Sequence, residues 1–159
     1  PELLESLRSG GIGWTELSLL VGPGTFEPVR VDEVAKHRVE PEAYSIAEST
    51  WAAIEKTRIN GGKVVAVGTT TCRALESAAR FSPPRLRGDA DLTILPGHQF
   101  RAIDALITNF HLPRSSLLVL VSAFAGRNRI LEAYREAVDH GYRFYSYGDA
   151  MLIQPRATG

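Results

Sequence analysis

The chain has 159 residues, of which 44% are apolar and 23% are charged, and its 18 basic side chains balance its 18 acidic ones. This length and composition predict a single globular domain and exclude a disordered chain. A net charge of zero excludes attraction of nucleic acid by a basic field of the whole molecule, although a local basic patch stays open. The single cysteine, Cys72, cannot form an internal disulfide, which is typical of a reducing, cytoplasmic compartment.

Neither a membrane span nor a targeting segment is evident in the sequence. The longest apolar stretch, residues 117–125, contains Ser122 and is shorter than the roughly 20 residues needed to cross a bilayer. The chain opens with Pro1-Glu2, without a basic start or an apolar segment, so no signal peptide is predicted. Because the first residue is not Met, we expect a processed product or a fragment of a longer polypeptide.

Apolar spacing and turn residues predict alternating helices and strands. In chain order the predicted elements are a helix (2–8), a strand (15–21), a short strand (29–34), a helix (45–58), a strand (63–68), a helix (71–80), two strands (92–95 and 103–108), two helices (115–125 and 128–140) and two strands (142–145 and 150–153). Ser45 and Glu48 match a capping box, and the Pro- and Arg-rich residues 81–91 are predicted to be a loop.

The alternation of strands and helices is typical of α/β proteins. The most direct example is the apolar strand 63–68, which runs through Gly68 and hydroxyl residues straight into a helix. We therefore expect one three-layer α/β/α domain with a mostly parallel or mixed sheet and helices on both faces.

Four blocks contain more polar and special residues than folding requires. They are residues 21–26, 68–73, 104–113 and 145–149. Each follows or ends a predicted strand, and ligands of open α/β sheets bind beyond the carboxyl ends of strands. The pattern predicts one shared cleft.

Three threonines, Thr69 to Thr71, begin the helix after Gly68 and would offer hydroxyls and free backbone N–H groups to an anion. A helix cap surrounded by polar loop is the simpler interpretation of the same residues. The pattern is not a P-loop. Arg73 lies in the first helical turn, where its charge opposes the helix dipole, and this favours a ligand-binding role.

Two residues near the strand 103–108 are candidates for acid–base chemistry. Asp104 interrupts an apolar run, where it would act as a base or pair with Arg101. His111 can serve as an acid or base near neutral pH, or as a structural, hydrogen-bonded histidine. Asn109 is most simply a turn former. The four histidines and one cysteine have no zinc-ligand spacing, so no metal is predicted.

Five strings of this sequence together resemble one family. They are VGPGTFEPV (21–29), AVGTTTCRALESAA (66–79), LPGHQF (95–100), DALITNFHLPRSSLLVLVSAFAG (104–126) and YRFYSYGDAMLI (142–153). Their order is similar to the C-terminal half of the S-adenosylmethionine:tRNA ribosyltransferase-isomerases of queuosine biosynthesis. The resemblance implies that residues 1–159 are a single α/β domain of a larger two-domain enzyme, without its N-terminal part and β-barrel domain.

The resemblance also implies a reaction. S-adenosylmethionine would donate its ribosyl group to 7-aminomethyl-7-deazaguanine in a tRNA anticodon, giving epoxyqueuosine-tRNA, adenine and methionine. The partners expected are S-adenosylmethionine and the anticodon stem-loop of tRNA, with no metal and no membrane. A cytoplasmic monomer is expected.

This chemistry suggests roles for residues in the matching strings. The base beside the sulfonium would be Asp104, Glu42 or His111, and the proton donor to adenine Asp149 or His111. The residues expected to bind S-adenosylmethionine are Gly22, Gly24 and Thr25 at the nucleoside, Thr70 and Arg73 at the methionine carboxylate, Phe110 and Tyr147 at the sulfonium, and Asn109.

The sequence departs from the family where histidines are usual, with Leu20 in one position and Glu40 in the other. The alternatives are therefore a divergent or inactive relative that retains only a nucleoside- or tRNA-binding pocket, and an α/β enzyme acting on a different nucleoside.

Overall fold

The computed structural model describes residues 2–22, 29, 31 and 33–154. The helices are α1 Glu2–Ser9, α2 Glu48–Ile59, α3 Thr69–Ala78, α4 Ser116–Ala125 and α5 Arg127–Asp139, with a 3-10 turn at Val34–Lys36. The strands are β1 Leu17–Leu20, β2 Ala43–Ile46, β3 Val65–Val67, β4 Arg87–Asp89, β5 Ala105–Asn109 and β6 Ala150–Ile153. This mixture confirms the predicted α/β class.

The described strands form two three-stranded sheets instead of one. The first sheet is antiparallel, in the order β1-β2-β4. The second sheet is mixed, in the order β3-β5-β6, with β5 parallel to β3 and antiparallel to β6. The carboxyl ends of β3 and β5 and the amino end of β6 therefore lie at the same end of this sheet. We call this end of the strands the site edge.

Helix α3 lies between the two sheets and contacts strands of both. Eight of its ten residues are buried, so polar side chains on it need partners inside the protein. Glu76 has them, because its carboxylate accepts hydrogen bonds from the backbone N–H groups of Arg101 and Ala102. The apolar core around α3 includes Cys72, Leu106 and Val121, which are fully enclosed.

All five predicted helices are present, with small shifts at their ends. Ser115 caps α4 by accepting a hydrogen bond from the Leu118 N–H at 3.2 Å. The predicted capping box is wrong, because Ser45 lies in β2, where it pairs with Ser18, and Ala47 precedes α2 without a side-chain cap. Strand pairing at this position overrides a local helix signal.

Four other predictions differ from the structure. The predicted loop 81–91 contains β4, which gains a ladder only by pairing with β2. Segment 92–95 is not a strand and is held by hydrogen bonds that involve side chains. The Arg73 side chain donates to the Leu92 carbonyl, and the Val39 N–H donates to the Thr93 hydroxyl. Segment 142–145 cannot continue as a strand because Tyr145 has a φ of +67°. The short strand predicted near 29–34 gives way at Val34 to the 3-10 turn, and part of it lies outside the described residues.

Among the described helices, none has both the length and the apolar character that crossing a membrane requires.

Candidate functional site

Three of the four polar blocks meet at the site edge. Thr70 follows β3, Asn109 ends β5, and Asp149 precedes β6. The Gly68 N–H donates to the Ile107 carbonyl at 2.8 Å, and the Asn109 amide donates to the Asp149 carbonyl at 3.3 Å. The expected meeting of carboxyl ends is therefore confirmed for β3 and β5. Asp149 was expected to follow a strand at 142–145, which does not form, and it reaches the site edge because it precedes the antiparallel strand β6.

The N-terminus of α3 faces the site edge directly. Gly68 begins the helix with a φ of +94°, a conformation that favours glycine and lets the helix start one residue after β3. A Cβ atom on Gly68 would lie 3.8 Å from the Thr71 hydroxyl oxygen and 3.9 Å from that of Thr70. The first N–H groups of a helix lack intrahelical partners, so this end of α3 offers donors to an anion.

His111 is buried behind the site edge. Its Nε2 lies 3.1 Å from the Thr108 hydroxyl, and its backbone N–H donates to the Tyr134 hydroxyl at 2.7 Å. Burial lowers the pKa of His111 to about 4. The imidazole is therefore neutral at pH 7 and unsuited to donate a full proton.

Aromatic rings surround the loop after β5. Phe110 is 4% exposed, with its ring centroid 5.3 to 5.7 Å from those of Phe144, Tyr134 and Tyr142. Tyr147, by contrast, is 74% exposed and lies two residues before Asp149. Of the two aromatic residues predicted to face a sulfonium, Tyr147 is the one with a ring open to solvent.

Asp149 is partly exposed and carries a defined negative charge. Its carboxylate accepts hydrogen bonds from the Arg143 backbone N–H at 2.6 Å and from the Arg143 Nε at 3.2 Å. The side-chain hydrogen bond from Arg143, followed by the backbone one, lowers the pKa of Asp149. Gly148 permits this approach, because at its φ of +115° a Cβ atom would lie 3.2 Å from the Arg143 guanidinium. Asp149 is thus an ionised acceptor at neutral pH.

Two backbone outliers lie in the segments that follow β5 and precede β6. Arg114 and Tyr145 have positive φ values of 57° and 67°, which side chains of this size rarely adopt. Tyr145 donates its N–H to the Phe110 carbonyl at 2.8 Å, and the Arg114 carbonyl accepts from Val29 at 2.6 Å. Such strain clusters at functional sites, which favours this edge as one.

A groove of about 520 Å³ opens between α5 and β6. Phe110 and Ala150 line the end of it that adjoins Asn109, and Ala133, Ala137 and Ile153 form part of its apolar wall. Arg129, Glu136 and His140 supply charged or polar groups. Its volume is within the range of small-molecule pockets. The groove was not predicted, because the apolar stripe expected on α5 comprised Ile130, Leu131, Tyr134 and Val138, of which only Ile130 lines it.

Arg73 and Glu42 form a buried ion pair away from solvent. The guanidinium lies 2.8 Å from the Glu42 carboxylate, and the two side chains are 3% and 2% exposed. Arg73 also donates to the carbonyls of Glu40, Ala90 and Leu92. Four of its five N–H donors are thereby engaged within the protein. The buried positions of the two residues do not support the predicted role of Arg73 in binding a carboxylate or that of Glu42 as a base.

Asp104 lies at the amino end of β5, the end opposite the site edge. Its carboxylate accepts a hydrogen bond from the Val64 N–H at 2.8 Å, and its own N–H donates to the Val64 carbonyl at 2.8 Å. These bonds align the start of β5 with the residue before β3. The catalytic role predicted for Asp104 gains no support from this position.

The first polar block is only partly visible. Gly22 lies two residues after β1, in the first sheet, whereas Gly24 and Thr25 lie outside the described residues. Sequence reasoning missed Arg143 and Tyr134, which orient Asp149 and the His111 backbone. The signal available was the aromatic-rich string around Arg143. Among the described residues, no three His, Cys, Asp or Glu side chains are grouped so as to hold a metal.

The neutral state of His111 predicts a pH-dependent stability. Its pKa rises from about 4 in the folded state to about 6.5 on unfolding, so the unfolded chain binds more protons in this interval. Stability is therefore expected to fall by up to about 3 kcal/mol as pH drops from 7 to 4. Urea unfolding of the wild type and His111→Gln at both pH values measures it.

Burial also lowers the pKa of His37, so only the difference between the two proteins isolates His111. Equal pH dependence would contradict a buried neutral His111.

A family model described as queuosine biosynthesis protein matches residues 1–153. Among curated relatives, a protein of Gloeobacter violaceus is 56% identical over 158 residues, covering 98% of this chain and 45% of the relative. One of Pelobacter propionicus is 54% identical over 156 residues, covering 97% and 46%. Both are named S-adenosylmethionine:tRNA ribosyltransferase-isomerase. The chain thus spans about half the length of the curated relatives it matches.

The fold is also similar to a solved structure. The crystal structure of an S-adenosylmethionine tRNA ribosyltransferase from Thermotoga maritima superposes with a TM-score of 0.79 at 46% sequence identity. The match covers 96% of this chain and 49% of that one.

Proposed function

Because the chain belongs to the queuosine biosynthesis protein family, we propose that it forms the α/β domain of an S-adenosylmethionine:tRNA ribosyltransferase-isomerase. The reaction would transfer and isomerise the ribosyl group of S-adenosylmethionine onto 7-aminomethyl-7-deazaguanine in a tRNA anticodon. Epoxyqueuosine-tRNA, adenine and methionine are its products. The observation that carries the proposal is the meeting of Thr70, Asn109 and Asp149 at one edge, beside a groove of about 520 Å³.

Asp149 was predicted as the proton donor to adenine, but its lowered pKa makes it better suited to act as the base at this edge. The sulfonium of S-adenosylmethionine acidifies the adjacent ribose carbon, so a carboxylate that is ionised at neutral pH can remove that proton. Asp149 is partly exposed and is held in its ionised form by Arg143. Glu42 is enclosed with Arg73, and Asp104 lies at the far end of β5. His111 has a pKa of about 4, so it is not suited to protonate adenine. Its hydrogen bond to Tyr134 instead holds the loop after β5 in place.

The N-terminus of α3 is the natural place for the methionine carboxylate. Its backbone N–H groups and the Thr70 hydroxyl can bind an anion without Arg73, whose donors are engaged elsewhere. Tyr147 would face the sulfonium with its exposed ring. Gly22, Gly24 and Thr25 remain candidates for contact with the nucleoside.

The groove between α5 and β6 would take the adenine of S-adenosylmethionine. It begins at Phe110 and Ala150, next to Asn109, so a nucleoside in it would reach the site edge with its ribose. Apolar walls suit a purine, and Arg129 and Glu136 offer polar contacts to its edge. The enzyme would act in the cytoplasm as a monomer, with the tRNA anticodon as its second substrate.

Filling this groove is expected to weaken donor binding. Ala133 lines it, so Ala133→Trp places an indole where the adenine would lie, and we expect the Kd for S-adenosylmethionine to rise at least tenfold, about 1.4 kcal/mol. Titration calorimetry measures the change. Arg135→Trp is the matched control, since Arg135 is an exposed residue of α5 that does not line the groove. Equal affinities for the two variants would exclude the groove as the adenine site.

The function itself is tested by binding and turnover. The chain is titrated with S-adenosylmethionine, and adenine release is then measured with and without precursor tRNA. Adenine released only when tRNA is present supports the proposal. Binding without release would indicate a nucleoside-binding module, and release without tRNA would indicate another substrate. Absence of binding would overturn the proposal.

A further inference from the structure

A small cavity lies between α3, α4 and the segment 37–39, apart from the site edge. Its volume is about 10 Å³, close to the space that a single water molecule needs. Its polar lining comes from His37, Arg73, Thr93 and Ser116. Leu117 and Leu120 of α4 form part of its apolar side.

His37 has an unusual position in this cavity. The residue is 8% exposed, and its Nε2 is buried without a hydrogen-bond partner among the described residues. An unpaired buried nitrogen costs free energy, so such atoms in folded proteins are normally matched by a protein group or by ordered water. The lining offers a complement, because Arg73 uses four of its five N–H donors on Glu42 and three backbone carbonyls.

We propose that this cavity is a binding site for one structural water molecule, which accepts a hydrogen bond from Arg73 and donates one to His37 Nε2. A water needs two to four polar partners, and the Thr93 and Ser116 hydroxyls line the same space. In this arrangement His37 carries its proton on Nδ1 and is a neutral acceptor at Nε2.

The site makes His37 a positioning residue for the start of α4. Arg73 belongs to α3, His37 to the segment before β2, and Ser116 to the first turn of α4. That turn directly follows the loop with His111 and Arg114, so the water would connect the core ion pair to the loop that borders the site edge. The inference does not depend on the reaction proposed above.

Nitrogen-15 NMR of the wild-type chain tests the tautomer without any variant. The expected spectrum at about pH 7 to 8 shows His37 with a protonated Nδ1 and an unprotonated Nε2. Water-selective nuclear Overhauser spectra should show a long-lived water at His37, and a high-resolution crystal structure should place it within hydrogen-bond distance of His37 Nε2 and Arg73. A proton on Nε2 donated to a protein oxygen, or a cavity closed by side chains, would overturn the proposal.

Two variants separate the water from the packing of the ring. In His37→Leu the acceptor is lost, so the long-lived water signal should disappear, and amide signals in the first turn of α4 should shift. Lys36→Leu is the matched control, because Lys36 is an exposed neighbour that does not line the cavity, so the water should remain. Retention of the water in His37→Leu would show that His37 is not its ligand, and would also overturn the proposal.

Discussion

Replacing Arg73 by alanine is expected to lower the free energy of unfolding by about 3–5 kcal/mol, because it breaks a buried ion pair by removing the guanidinium that contacts the Glu42 carboxylate. Both side chains are almost fully enclosed, and the guanidinium also satisfies three backbone carbonyls. Those carbonyls lose their donors in the same substitution, which adds to the loss. Urea unfolding at pH 7, monitored by circular dichroism, measures the effect.

Arg80→Ala is the matched control for this substitution. Arg80 forms an ion pair with Asp91 at the same 2.8 Å distance, but the two side chains are 47% and 61% exposed. Exposed pairs contribute about 0–1 kcal/mol, so this variant should unfold close to the wild type. The double change Arg73→Met with Glu42→Met removes both charges and should recover part of the loss. Losses of equal size for Arg73→Ala and Arg80→Ala would contradict the buried ion pair.

Replacing Asp149 by asparagine is expected to reduce adenine release by about 10²- to 10⁴-fold, the range found when a general base is removed. Asparagine keeps the size of the side chain but cannot accept the proton. Binding of S-adenosylmethionine should change little, because the proposed contacts with the donor come from α3, the groove and Tyr147. Single-turnover adenine release together with calorimetry separates these two effects.

Arg143→Ala provides the control for charge at Asp149. Without the side-chain hydrogen bond, the pKa of Asp149 should rise toward its ordinary value. A base works only when deprotonated, so activity is present above its pKa and lost as pH falls through it. The acidic limb of the pH–rate profile should therefore move to higher pH in Arg143→Ala. Wild-type turnover by Asp149→Asn would exclude Asp149 as the base.

The site edge was largely predictable from local sequence. Residues 65–78 form β3, Gly68 and α3 without a break, so the threonines that begin α3 must lie at the carboxyl end of β3. The same reasoning predicted that Asn109 would lie beside Thr70, because the carboxyl ends of the parallel strands β3 and β5 meet at the same end of the sheet. It did not account for Asp149, which reaches this place because it precedes the antiparallel strand β6.

The roles of Arg73 and Asp104 were not predictable, because their partners are distant in sequence. Glu42 precedes Arg73 by 31 residues, and Val64 precedes Asp104 by 40. A lone charge in an apolar stretch is equally typical of a catalytic group and of a buried structural pair, and only the position of the partner separates them. Strand β4 was missed for a similar reason, since Arg87, Gly88 and Asp89 lack the apolar alternation of a strand and are extended only through pairing with β2.

The placement of α3 between both sheets has a consequence for motion. Separating α3 from either sheet would expose the Arg73–Glu42 ion pair or the hydrogen bonds of Glu76. The two sheets should therefore unfold together as one cooperative unit. An anion bound at the amino end of this helix would then slow hydrogen exchange in β1, β2 and β4, which it does not touch. A ligand bound at α3 would therefore also stabilise the antiparallel sheet through the contacts of this helix.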